Sequence, residues 1–173
     1  AIPGEYLISL NYNGEVIEQS LKIEKDPRLE NTDKDYRDQF DFLINVRDQV
    51  TRANSAIIKI REVQKDLNYL KQKSGLTEEI NNLIDQFEVK LSHIENNIHM
   101  TKNQSRQDPL NYGIRINNRI AFLLADSQRG DYPPTNQAKA FFKEITAELD
   151  REMEALEKLL NVSISRLNEI VSD

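Results

Sequence analysis

LINVRDQVTRANSAIIKIREVQKDL, residues Leu43–Leu67, carries Leu43, Val46, Val50, Ala53, Ile57, Ile60 and Leu67 at alternating steps of three and four, with Gln64 in the same register. An α-helix brings positions so spaced onto one side. The residues between them are largely charged or amide-bearing, so the helix has a narrow oily stripe and a broad solvated face. Upstream, Thr32-Asp33-Lys34-Asp35 resembles a capping box with acids in the first turn. Downstream, Gly75 is placed for the residue just past a helix end. One long helix from Thr32 to about Lys73 is expected.

The same period continues beyond it. Thr77, followed by Glu78 and Glu79, opens a second helix with Ile80, Ile84, Phe87, Leu91, Ile94 and Ile98 as its stripe, ending near Thr101. After the polar KNQSRQ loop, Asp108 and Pro109 read as cap and first residue of a third helix. Its expected inner stripe is Leu110, Ile114, Asn117, Ala121 and Leu124, flanked by Ile116, Ile120 and Leu123. RGDYPP breaks the chain again. Thr135 then caps a fourth helix with Phe142, Ile145, Leu149, Met153, Leu156, Leu160, Ile164, Leu167 and Val171 inside. The helices should measure ~60, ~37, ~30 and ~57 Å at 1.5 Å per residue. The fold class expected is mainly α: an up-down four-helix bundle, long-short-short-long, over residues 29–173, with consecutive helices as antiparallel neighbours. The start of the first helix and the end of the fourth would then protrude at one base.

Residues 1–28 follow a different period. In EYLISLNYNGEVIEQSLKIEK, Tyr6, Ile8 and Leu10 alternate, and Val16, Leu21 and Ile23 follow the Asn13-Gly14 pair. Asn-Gly suits a type I′ turn, in which both central residues have positive φ. This is an N-terminal β-hairpin. Because two strands alone are marginal in water, it should pack on the helices, covering their base, or on further strands.

Composition narrows the functional classes. The formal charge is −6 and the pI about 5.1, with no basic-aromatic patch, so no nucleic acid partner is expected. No apolar run approaches the ~18 residues of a membrane span, so no membrane insertion is expected. The chain has no cysteine, which excludes disulfide and thiolate chemistry. His93 and His99 are six residues apart and share no helix face, so no metal site is expected. In ELDREMEALEK, Arg151 and Lys158 are interspersed among Glu148, Asp150, Glu152, Glu154 and Glu157, the pattern of a solvated face rather than of a catalytic carboxylate pair. Arg47, Asn54 and Arg61 recur at sevens beside the first stripe, in flanking positions. Arg129-Gly130-Asp131 reads as a turn before Pro133 rather than as an integrin ligand. No nucleotide loop, no Gly-x-Ser-x-Gly and no nucleophile–base pattern occurs. Catalytic residues and cofactors are therefore none.

The polar residues inside the third helix are the remaining candidates. Gly113 would let that helix approach a neighbouring backbone closely. Asn117 or Asn118 would bond across the bundle to the first or fourth helix, pinning its register, because a buried amide costs about 1–3 kcal/mol unless paired.

Three stretches taken together resemble a known family: Pro3–Leu10 (PGEYLISL) with Asn13-Gly14-Glu15, Pro109–Leu124 (PLNYGIRINNRIAFLL), and Arg129–Asp150 (RGDYPPTNQAKAFFKEITAELD), with Asp26-Pro27-Arg28 in a matching place. They resemble the C-terminal region of bacterial proteins built on a sortilin-like, BNR (Asp-box) repeat β-propeller and often labelled glycosyl hydrolases. The resemblance implies that the propeller and any catalytic residues lie outside these residues. It also implies that the hairpin ends a β-sandwich-like segment and that the protein is periplasmic or extracellular. The function expected is a non-catalytic C-terminal helical module for assembly or protein–protein contact, with the parent β-propeller domain as partner. The alternatives are an autonomous coiled-coil-like scaffold that forms a homodimer, and an accessory domain binding glycan or peptide through Tyr36, Tyr69, Tyr112 or Tyr132.

Overall fold

A computed structural model describes residues 1–72 and 76–172, with side chains as far as residue 167. The expected Gly75 cap and the Val171 side chain fall outside what is described. The chain is mainly helical with a two-stranded antiparallel hairpin at its start. Strands β1 (Gly4–Tyr12) and β2 (Glu15–Ile23) are joined by Asn13 at φ 51° and Gly14 at φ 87°, the two positive angles anticipated for Asn-Gly. Five helices follow: α1 (Asp33–Lys71), α2 (Glu78–Ile98), α3 (Pro109–Tyr112), α4 (Ile116–Ser127) and α5 (Asn136–Ser172).

Local chemistry sets the helix starts. At α1 the Thr32 hydroxyl accepts from Asp35 N at 3.3 Å, and the Asp35 carboxylate accepts from Thr32 N at 2.8 Å, a complete capping box. Thr77 and Thr135 accept from Ile80 N at 3.3 Å and Ala138 N at 3.0 Å, opening α2 and α5.

Side-chain pairs give the directions. Arg61–Glu95 at 2.7 Å, Gln64–Ser92 at 3.1 Å and Lys71–Glu88 at 2.5 Å step in opposite senses along α1 and α2, so the two are antiparallel. Gln39, in the second turn of α1, donates to the carbonyls of Ser127 and Gly130 at the end of α4. Asn117, at the start of α4, lies 3.2 Å from the His99 ring at the end of α2. Helix α4 therefore also runs antiparallel to α1, and it continues along α1 from where α2 stops. Arg119–Glu148 at 2.7 Å and Asn97–Glu152 at 3.1 Å set α5 against α4 first and α2 next. Phe42 meets Phe142 edge-on at 5.5 Å and Arg52 pairs with Asp150, so residue numbers rise together along α1 and α5.

Two long helices thus run parallel, and the two short ones follow each other along their shared flank. The expected alternation of antiparallel neighbours is corrected on this point, because α2 and α4 point the same way. The reason lies in residues 99–115, too long a connection to force a reversal; with α3 in it, the chain loops out and returns to the line it left. Lengths agree: at 1.5 Å per residue α2 and α4 come to about 31 and 18 Å, together close to the ~58 Å of α1. The end of α5 accordingly lies opposite the start of α1, not beside it at a common base.

One core runs through this assembly. Val46, Ile60, Ile84, Leu91, Ile98, Ile120, Ile145 and Leu149 are fully enclosed, each worth about 1.5–3 kcal/mol of transfer free energy. The first stripe is as expected, except that Phe42 rather than Leu43 turns fully inward and Tyr36 and Gln39 extend it backward. In α5, Ile145, Leu149 and Leu156 are buried, whereas Ile164 is exposed. The third expected helix is two pieces with different phases. Leu110 and Ile114 are 84% and 58% exposed, and the buried set is Ile116, Ile120 and Leu123, the positions taken as flanking.

The hairpin covers nothing. Neither strand packs on any described helix, and every strand residue except Tyr6 and Ile23 is exposed. The expected cover for the bundle base is absent. The hairpin is tied to α1 through the segment that follows it, where Lys25 pairs with Asp33 at 3.0 Å.

Candidate functional site

The polar residues singled out in the third helical segment gather at the junction of α2 and α4. Asp108 does not cap α3. Its carboxylate turns back to accept from Gln104 N at 2.5 Å, Ser105 N at 2.8 Å and the Ser105 hydroxyl at 2.7 Å, and these donors hold its pKa below the usual aspartate value. The single turn of α3 then ends at Gly113, with φ 76° and ψ 177°. A Cβ built there would meet nothing within 4 Å. The close backbone approach expected at Gly113 is therefore not its reason. The backbone angles are, since L-residues scarcely enter that region. Past Gly113 the chain is extended through Arg115, and α4 starts afresh.

Asn117 does reach across, but to His99 at the end of α2 rather than to the first or the last helix. Its amide donates to Nδ1 when the ring proton sits on Nε2. Asn117 Oδ1, Asn118 Oδ1 and Arg115 Nε are shut off from solvent without a protein partner. Beside them a recess of about 340 Å³ is lined by Arg115, Arg119, Arg151, Glu148, Glu152 and Asn97, among others. Arg119 is held by Glu148 and lies over the Phe141 ring at 5.3 Å, while Glu152 accepts from Asn97. Cations and carboxylates are interleaved here. The recess is a polar seam tying three helices together.

Two buried polar groups escaped the sequence reading. Gln39 gives both its amide protons to carbonyls at the end of α4, Ser127 at 3.1 Å and Gly130 at 2.7 Å. Glu95, 8% exposed, is paired with Arg61. The signal was available for both: Gln39 falls in step with Phe42 and Val46, and Glu95 sits between Leu91 and Ile98. The Arg129-Gly130-Asp131 turn is fastened down by Gln39 and by Asn31, which donates to the Asp131 carbonyl. His93 is exposed beside Asn97, and no group of three or more His, Cys, Asp or Glu is placed to hold a metal ion among the described residues. No described helix is long and apolar enough to cross a membrane. Of the tyrosines considered for a glycan or peptide groove, Tyr36 is buried, and Tyr69, Tyr112 and Tyr132 fall at different levels of the helical body.

An uncovered apolar surface lies on the hairpin. Cross-strand partners point to the same side, so the register places Tyr6 and Leu21, Ile8 and Gln19, Leu10 and Ile17, Tyr12 and Glu15, and Gly4 and Ile23 on one face. The other face carries Glu5 opposite Lys22, Leu7 opposite Ser20, Ser9 bonded to Glu18 at 2.8 Å, and Asn11 opposite Val16. This side is mainly polar, with Leu7 and Val16 exposed among its charges and hydroxyls. The other presents Ile8, Leu10, Tyr12, Ile17 and Leu21 at 44% to 72% exposure. These five, with Tyr6 and Ile23, show on the order of 600 Å² of contiguous surface, at the upper end of what monomers leave open.

Comparison of the chain with family models, with curated proteins and with solved structures finds no match.

Proposed function

We propose that the chain is a non-catalytic helical module for assembly or protein–protein contact, and that the hairpin is its contact element. The observation that carries this is the one-sided hairpin: a sheet with a mainly polar face and an uncovered apolar face, on which no described helix packs. Withdrawing about 600 Å² of apolar surface from water is worth ~15 kcal/mol in gross transfer terms, of which association costs leave only a part. Without that cover a two-stranded sheet is marginal. The helical body, a bundle of two long rods and one flank made of α2 and α4 in tandem, supplies the rigid support.

We propose further that this module sits at the C-terminus of a larger, exported, sortilin-like β-propeller protein, a reading whose support is the likeness of the three stretches quoted above. The reading frame around the coding segment tests the placement. A propeller-encoding stretch upstream of Ala1 is the expected result; a frame that opens within a few codons of Ala1 overturns it. The contact role has a separate test in amide exchange of the full chain with and without Leu10→Lys. Strand amides are expected to be protected in wild type under associating conditions and open in the variant. Equal protection in both would show a hairpin that needs no cover.

A further inference from the structure

We infer that the cover for the hairpin is a second copy of this chain, with two hairpins stacked apolar face to apolar face about a two-fold axis that runs across the strands. This rests on the reading of the hairpin face as a contact surface and names its occupant.

Three observations lead there. The first is area. Each copy offers on the order of 600 Å², so a stacked pair buries roughly 1,200 Å², the lower bound of specific protein interfaces. A much smaller patch would hold no stable pair, and a much larger one would call for a bigger partner surface. The second is the shape of the face. A two-fold across the strands lays the tip of one hairpin over the base of the other. The Tyr12–Glu15 row then falls on the Gly4–Ile23 row, where the Tyr12 ring meets the Tyr6 ring that leans over Gly4 toward the Ile2 carbonyl. The Leu10–Ile17 row falls on the Tyr6–Leu21 row, oil on oil, at the ~10 Å spacing of packed sheets. The middle row, Ile8–Gln19, falls on its own copy, so the two Gln19 amides meet at the axis and can satisfy each other. The third is charge. Each chain carries a formal −6. Tip-over-base stacking sends the two acidic helical bodies in opposite directions, whereas a two-fold along the strands would bring both bodies together at one end.

The test uses the full chain in sedimentation velocity over roughly 5–500 µM, the range in which an interface of this size associates. A reversible dimer is expected, maintained or strengthened by added salt because the join is apolar and the bodies repel. Leu10→Lys and Ile17→Lys are each expected to weaken it at least about thirtyfold, the mark of a residue at an interface centre. Ser9→Lys, on the watered face, should leave it unchanged. Circular dichroism of each variant checks that the helical body still folds. Because the chain has no cysteine, Gln19→Cys gives a further arm: a short bis-maleimide should link it to its own copy, and should fail with Ser20→Cys. A monomer across the range overturns the second-copy proposal; if that monomer binds an apolar dye and loses it on Leu10→Lys, the contact-surface reading survives with another partner. A dimer indifferent to both lysine substitutions overturns the proposal and that reading together.

Discussion

The tandem arrangement of α2 and α4 makes a distance prediction that no alternating bundle shares. Glu79 lies at the start of α2 and Asp126 near the end of α4, both exposed. From Glu79 to Ile98 is ~28 Å along the helix axis, and from Asn117 to Asp126 another ~14 Å, at 1.5 Å per residue. The His99–Asn117 contact allows ~5–10 Å across the junction, so the two positions should stand ~47–52 Å apart. Were the two short helices antiparallel neighbours, an interaxial distance of ~10 Å and their overlap would leave ~20 Å or less. Nitroxides attached through Glu79→Cys and Asp126→Cys, in a chain with no other cysteine, distinguish the two by double electron–electron resonance. A principal distance below ~25 Å would refute the directions deduced from Gln39, His99 and Asn117. Dilution with unlabelled chain keeps any intermolecular distance out of the trace.

Gln39→Ala removes both amide donors from the end of α4 and leaves two inward carbonyls unpaired, and it should cost about 2–3 kcal/mol in urea unfolding; a loss under 0.5 kcal/mol would mean that water replaces the amide freely. Gly113→Ala should cost about 1–3 kcal/mol although nothing crowds the site, because the penalty is in the backbone angles, and a semisynthetic D-alanine at the same position should recover most of it. Asp35 is held below its ordinary pKa first by the Thr32 hydroxyl and then by the Thr32 N–H. A depressed carboxylate gives stability that is present above its unfolded value, near 3.8, and lost as pH falls through the lower folded value. The melting temperature should therefore drop on acidification below about pH 4 with a component that Asp35→Asn removes; identical pH profiles for the two proteins would contradict the capping geometry.

What the sequence shows plainly is whatever depends on neighbours within a turn or two. The threonine caps, the Asn13-Gly14 turn and the stripes of α1, α2 and the first half of α5 are all of this kind, since period and cap chemistry are local. The third helical segment turns on one residue, Gly113. Leu110, Ile114, Asn117, Ala121 and Leu124 form a respectable stripe only if the helix is continuous, and Gly113 with its extended successors resets the phase so that Ile116, Ile120 and Leu123 turn inward instead. The direction of α4 was out of reach for a related reason: nothing in residues 99–115 states whether the chain reverses or resumes. The junction candidates fared unevenly. Asn117 does bond across helices, but to His99 at the end of α2 and not to the first or last helix, and Asn118 Oδ1 has no protein partner. The exposed apolar face of the hairpin was visible as alternation in Tyr6, Ile8 and Leu10; that no helix would cover it depends on where the chain goes after Ile23, which alternation does not encode.

The parallel course of α1 and α5 has a mechanical consequence. With the hairpin joined to the foot of one long helix and the other long helix finishing at the summit, the helical body sets the hairpin and the last turn of α5 about 55 Å apart. Tension applied between those two points would be carried in shear through α2 and α4, which pack on both long helices, loading many side-chain contacts at once instead of peeling them one by one. An alternating bundle, with both ends at the same foot, would offer neither the reach nor the shear.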